Sequence, residues 1–188
     1  MADNEARARE DEYFWRKDQE LIAKMQRAAA AEQAQRELGA KAGLNDPEVV
    51  QELAALGFTT DTVDLLPLMP LIQVAWADGG VSDAERQLIM TLARSRGVAE
   101  ASASDRQLST WLATRPDAHV FTRSTRLIRA MLTSPTASQA NMAPDELVRY
   151  CEEIAAASGG ILGMKKISAE ERALLAQIAT ELKSRKAE

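Results

Sequence analysis

Residues 74–80 read VAWADGG, and residues 154–160 read IAAASGG, at an offset of 154 − 74 = 80. A little further on, 81–86 reads VSDAER and 167–172 reads ISAEER, at an offset of 167 − 81 = 86. The second copy therefore carries 86 − 80 = 6 extra residues, Ile161 to Lys166, in its loop. Each copy spells a helix, a glycine turn, a β-branched residue and a capping box that opens a second helix. Helical hairpins share turns by accident, but two aligned glycine pairs, each followed by S-x-x-E-R, go beyond that. Repetition on this scale predicts one helix–turn–helix unit used twice along the chain.

The same punctuation continues along the chain. Asp46 and Pro47 read as an N-cap with proline at the first helical position, and Gly57 stops that helix. Thr60 is the predicted cap of a helix reaching about Ala77. Pro67 lies inside it and, lacking an amide donor, must bend its first turns or push its start later. Ser82–Glu85 is a capping box, and Gly97 ends the helix it opens. Ser104 and Gln107 offer a second box, closed by Pro116. A further helix runs to about Thr133, Pro144 begins the next, and Gly159 and Gly160 end it. Ser168–Glu171 opens the last, with Leu174, Leu175, Ile178 and Leu182 on one face. Aromatics are only 4% of the chain against 46% apolar residues overall, so Leu, Ile, Val, Ala and Met must build the core. Runs of β-branched residues are nearly absent, which favours helix. The prediction is an all-α bundle: an N-terminal arm, then seven helices and no strand.

Residues 4 to about 40 form one long candidate helix with charges of both signs alternating along it. Phe14, Leu21, Met25 and Ala28 step by seven, four and three, with Trp15, Ile22 and Ala29 beside them. That spacing draws a narrow apolar stripe on one face. Tyr13, Phe14 and Trp15 add three aromatics at one point. Gly39 and Gly43 then break the pattern, so the boundary is placed near Gly43: an arm over 1–43 and a helical domain over 44–188.

Composition narrows the function classes. A net charge of −5 and no broad basic face argue against a nucleic-acid partner. Arg123, Arg126 and Arg129 read as a solvated helix face. Cys151 is the single cysteine, in an apolar-periodic stretch, which suits a reducing compartment. The N-terminal residues MADNEARAREDEYF hold no apolar segment of a secretory signal, and the apolar run Leu65–Ala77 is too short to span a bilayer. A cytoplasmic protein is expected. One histidine, His119, and one cysteine in separate helices give no nucleophile–base pair, and neither glycine pair sits in a phosphate-binding pattern. The chain therefore reads as a non-enzyme.

Asp78, Asp83 and Glu85 place three carboxylates within eight residues at a helix start. Oxygen ligands at that density can hold a divalent cation such as Ca²⁺. The competing account is structural and stronger: Asp78 tightens the turn, while Asp83 and Glu85 complement the helix dipole and complete the box. The expectation is no cofactor, with this trio as the metal candidate.

The stretch LIQVAWADGGVSDAERQLIMTLARSRGV, residues 71–98, resembles the signature of TerB-like domains, the family associated with bacterial tellurite resistance. Ala75, Ala77, Asp78, Gly79, Ser82 and Glu85 stand where that pattern wants them. The resemblance covers roughly 44–188 and implies an all-helical, internally repeated, non-enzymatic interaction module tied to tellurite, metal or envelope stress in bacteria. The second copy departs from the pattern: Ser158 stands where an Asp-Gly turn is often repeated, and Lys165 and Lys166 enter the loop. A cation site built from two acidic turns would be halved here. That departure and the single histidine disfavour a metal-dependent hydrolase.

Residues 10–20, EDEYFWRKDQE, are similar to the helical core of the mitochondrial ATP synthase inhibitor protein, through Tyr13, Phe14, Arg16, Lys17 and Glu20. That likeness implies an alternative, a small regulator whose arm inhibits an ATPase. Both readings make the arm the partner-binding element, through Tyr13, Phe14, Trp15, Leu21 and Met25. The expected partner is a protein, with any membrane-associated complex reached only through it, or a second arm in a homodimer.

Overall fold

The computed structural model describes residues 2–133, 143–157 and 167–183, with 2–11, 133 and 183 described as backbone only. Among the described residues there are eight α-helices and no strand, so the chain is an all-α bundle led by one long helix. The first, α1, spans Ala2–Ala42. Ala28–Ala31 followed by Glu32, Gln33 and Ala34 are strong helix formers, and ion pairs such as Arg36 to Glu32 at 3.0 Å add local support. Gly43 ends the helix at φ 68°, a conformation that only glycine adopts without strain. The Leu44 amide then donates back to the Gly39 carbonyl at 2.9 Å and the Gly43 amide to Ala40 at 3.3 Å, the Schellman pattern.

The body begins before that glycine. Leu38 and Ala42 are buried in the core, while Arg36 and Glu37 are exposed. A Cβ on Gly39 would meet both the Leu44 carbonyl oxygen and a Val50 methyl at 2.9 Å, so the turn after α1 and the Val50 side chain pack directly against the bare glycine. The exposed arm therefore stops near residue 37, ahead of the helix end at Gly43.

α2 (Pro47–Ala55) starts on Asp46, whose side chain accepts from the Glu48 amide at 2.9 Å. Thr60 caps nothing: the Thr59 amide donates to Thr62 Oγ1 at 2.9 Å, and the turn feeds a 3-10 segment, Val63–Leu68. Pro67 explains the difference from one long helix, because its ring forbids the α-helical bond four residues back. The regular helix, α3 (Met69–Ala75), starts only after it, with Pro70 in the first turn where no donor is needed. α4 (Asp83–Ser95), α5 (Ala103–Ala113), α6 (Ala118–Thr133), α7 (Pro144–Ala157) and α8 (Ala169–Lys183) complete the bundle. α5 is capped by Ser102, whose hydroxyl accepts from the Asp105 amide, and not by Ser104. Ser104 is buried and donates instead to the Asp61 carbonyl.

α3 is the hub, packing against α4, α6, α7 and α8. Leu65, Leu66, Leu68, Leu71, Ile72 and Val74 on the 3-10 segment and α3 are fully buried, as are Ile89, Leu108 and Leu127 around them. At about 1.5–3 kcal/mol per buried aliphatic side chain, this cluster dominates the stability of the body. Trp76 and Trp111 lie at its edge, half-buried; the Trp76 indole donates to the Trp111 carbonyl at 2.9 Å, and Phe58 meets Trp111 edge to face.

Candidate functional site

On α1, Phe14, Leu21, Met25 and Ala28 fall on one side because residues three, four and seven apart stack along a helix. Trp15, Ile22 and Ala29 widen the same stripe. Tyr13, Phe14, Trp15, Leu21, Ile22 and Met25 are 47–66% exposed, and they are all of the exposed large apolar or aromatic side chains among the described residues. The structure thus leaves exposed together the arm residues Tyr13, Phe14, Trp15, Leu21 and Met25 singled out from sequence, with Ile22 beside them. Tyr13 and Phe14 meet edge to face at 5.9 Å, and Lys17 Nζ lies 5.8 Å from the Tyr13 ring centre. Lys17 also pairs with Glu20 at 3.2 Å. Asp18 sits exposed within the stripe, between Phe14 and Leu21 on the helical face. The arrangement is an apolar ridge with a charged flank, which suits the groove of another helix pair or another helix.

The acidic turn is built differently from its sequence spacing. Residues two apart on a helix do not face the same way. Asp83 points to solvent from the first turn of α4, whereas Glu85 is 2% exposed. The Glu85 carboxylate accepts from the Ser82 amide at 2.8 Å and from the Ser82 hydroxyl at 2.7 Å. Burial is the main force holding the Glu85 carboxyl above its ordinary range; the neighbouring Glu171 and Asp78 charges push the same way, against the Ser82 hydrogen bonds. Asp78 is exposed and accepts from the Ser168 hydroxyl at 2.9 Å, ninety residues away. Ser168 belongs to the second copy's box: its amide donates to Glu171 Oε2 at 2.7 Å, and its hydroxyl accepts from the Glu171 amide at 3.0 Å.

The two boxes therefore meet, with Glu85 and Glu171 both buried and Asp78 bridging to the far copy. Sequence reasoning found each box but missed their junction. The aligned repeats were the available signal that they sit side by side. Asp78, Asp83 and Glu85 are not gathered into a ligand set, and among the described residues no group of three His, Cys, Asp or Glu side chains is placed to hold a metal ion. The second copy's turn, with Ser158, Lys165 and Lys166, lies outside the described residues.

The remaining candidates stand apart. Cys151 is fully buried, and that burial pushes its thiol up to about 12. His119 is exposed at the start of α6, with Arg123 and Arg126 exposed further along the same helix. No helix among the described residues is long and apolar enough to cross a membrane. No protein-family model matches the chain, and neither a curated protein nor a solved structure matches it.

Proposed function

We propose that this chain is a non-enzymatic, TerB-like interaction module of the bacterial cytoplasm. Its closed helical body displays α1, and the α1 stripe docks onto a helical surface of a protein. The carrying observation is the concentration of exposed large apolar groups on residues 13–25 while the body buries its own. Exposed aromatics cost solubility, and anchors of this kind are what a docking helix inserts into a partner. A thiol held protonated in the core, far along the chain from an exposed histidine, supports the non-enzymatic part of the reading. The TerB-like pattern over 71–98 supports a role in tellurite, metal or envelope stress.

The test is a photo-activated cross-linking residue placed at Trp15 in the living host, with Arg27 on the opposite side of the helix as control. Position 15 should yield a protein adduct that disappears when Leu21 and Met25 become Asp, and position 27 should not. No adduct at 15, or equal adducts at both positions, sinks the proposal. A deletion strain should become tellurite-sensitive and be rescued by the wild-type chain but not by the Asp variant. The exposure of Tyr13 and Phe14 also favours a second reading, the ATPase-inhibitor-like arm. A peptide of residues 1–43 that fails to inhibit ATP synthase hydrolysis at high excess would retire it.

A further inference from the structure

We propose that the partner of the stripe is a second copy of the same arm, laid antiparallel with its centre between Asp18 and Gln19. This rests on the docking reading above and names its occupant. The stripe is aromatic at one end, Tyr13, Phe14 and Trp15, and aliphatic at the other, Leu21, Ile22 and Met25. A twofold axis between Asp18 and Gln19 sets residue i of one copy level with residue 37 − i of the other. Trp15 then lies level with Ile22 of the second copy, and Phe14 falls between Ile22 and Met25. Each copy's aromatic end covers the other's aliphatic end, so large rings are not forced against large rings.

The charged flank obeys the same register. Tyr13, Lys17, Glu20 and Lys24 lie along one side of the stripe at helical spacing. Reversed about the centre, Lys17 meets Glu20, and Tyr13 meets Lys24. Each combination occurs twice. These are the contacts Lys17 already makes within one chain, to Glu20 at 3.2 Å and to the Tyr13 ring at 5.8 Å. A parallel pair would instead set this flank against the opposite one, Trp15, Gln19, Ile22 and Gln26, which offers its charges no partner. Charge thus selects the direction, and the apolar stripe supplies the attraction.

Six half-exposed large side chains per copy, each presenting on the order of 100 Å², bring roughly 1,200 Å² into such a pair, the low end for a specific interface. A reversible dimer is what that area supports. Asp18 lies inside the seam, where one polar residue fixes register and weakens the pair.

The experiment uses the full chain. Sedimentation velocity over a wide concentration range should show a monomer–dimer equilibrium. Phe14→Ala with Trp15→Ala should weaken dimerisation at least tenfold with the body's melting unchanged, and Asp18→Leu should tighten it about tenfold. Disulfide trapping reads the register, with Cys151 replaced by Ser. Gln19→Cys should link to itself. Trp15→Cys should link to Ile22→Cys in a mixture but not to itself, since levels 15 and 22 are about 10 Å apart on a helix. Self-linking of Trp15→Cys would mean a parallel pair and overturn the proposal, as would a monomer at every concentration. A monomer whose position-15 cross-linker captures a different protein leaves docking standing and removes only the second copy. A monomer with no adduct removes both.

Discussion

The arm and the body find partners for their side chains at different ranges. In the arm, the polar contacts are local: Lys17 to Glu20, Arg36 to Glu32, and Gln33 to Glu37 at 2.8 Å. In the body, contacts span the sequence: Lys41 to Asp64 at 2.7 Å, Trp76 to the Trp111 carbonyl, and Ser168 to Asp78. The apolar groups divide the same way, with Leu38 and Ala42 buried and Phe14, Leu21 and Met25 exposed on the same helix. A helix held by neighbours three or four residues away can stand in solvent, but it leaves its apolar stripe unspent. A helix held by tertiary contacts has nothing left to offer a partner. The division is what makes the arm, and not the body, the candidate interface.

The largest effect should come from the point on α1 where the two regimes meet. Leu38→Ala should destabilise the body by about 2–5 kcal/mol, through lost burial and a cavity. Leu21→Ala, the same change seventeen residues earlier (38 − 21 = 17), should stay within about 0.5 kcal/mol in dilute monomer. Gly39→Ala should also destabilise despite its better helix propensity, because the new Cβ meets the Leu44 backbone oxygen at 2.9 Å. For the same reason residues 34–188 should melt like the full chain, whereas 44–188, lacking Leu38, Ala42 and Lys41, should melt lower. Denaturant melts of these variants check all five. Equal losses at Leu21 and Leu38 would erase the distinction between arm and body.

Below that comes the bond joining the two copies. Ser168→Ala removes the acceptor for the Glu171 amide and the donor to Asp78, and should cost about 1–2 kcal/mol. Ser82→Ala should cost about 0.5–2 kcal/mol through its own cap. Asp78→Ala with Ser168→Ala should cost less than the sum of the singles, by about 0.5–1 kcal/mol. Strict additivity would mean the Ser168–Asp78 contact carries no stability, and that the copies meet through apolar packing alone.

The helices were legible where one local signal decided them. Asp46, Ser82 and Ser168 cap as their spacing says, because a cap needs only its own first turn. The all-α class followed from composition and punctuation. Ser102 was missed in favour of Ser104 because two serines two apart both fit, and the choice depends on Ser104 reaching Asp61 across the fold. Gly43 marked the end of α1 correctly but not the edge of the core, since helix ends and packing boundaries are different things. Leu38, Gly39 and Ala42 held that second signal, an apolar i, i+4 pair around a glycine. The stripe was legible because it is a property of one helix. The junction of Asp78, Glu85, Ser168 and Glu171 was not, because it exists only once α3, α4, α7 and α8 have packed.

A smaller effect should be a pH dependence seated in the body alone. Glu85 titrates above its ordinary range when folded, first because it is buried and then because Glu171 and Asp78 lie near. Between its ordinary value and that raised one the folded state binds more protons than the unfolded state, so this group's contribution to stability falls as pH rises through that window. Glu85→Gln keeps an oxygen to accept from the Ser82 amide and hydroxyl but carries no charge. Its melting temperature relative to wild type should climb with pH across the window and then level off. A variant that tracks wild type at every pH would show that the acidic junction imposes no electrostatic strain.

The smallest effect should be confined to the arm. The Glu32–Arg36 pair bridges one turn of α1 at 3.0 Å with both side chains largely exposed, and it lies outside the 13–25 stripe. Exposed pairs of this spacing contribute about 0.2–0.5 kcal/mol to the helix that carries them, and salt screens them. Arg36→Ala should therefore lower the helicity of a 1–37 peptide slightly at low salt and not at high salt, since alanine restores in propensity part of what the lost pair removes. In the full chain the body's melting should not move, because nothing in the body depends on Arg36. Circular dichroism of the peptide and a melt of the full chain separate the two. A shift of the body's transition by more than about 0.5 kcal/mol would mean that the arm's surface charges are wired into the fold, and that the arm is not a free ridge waiting for a partner.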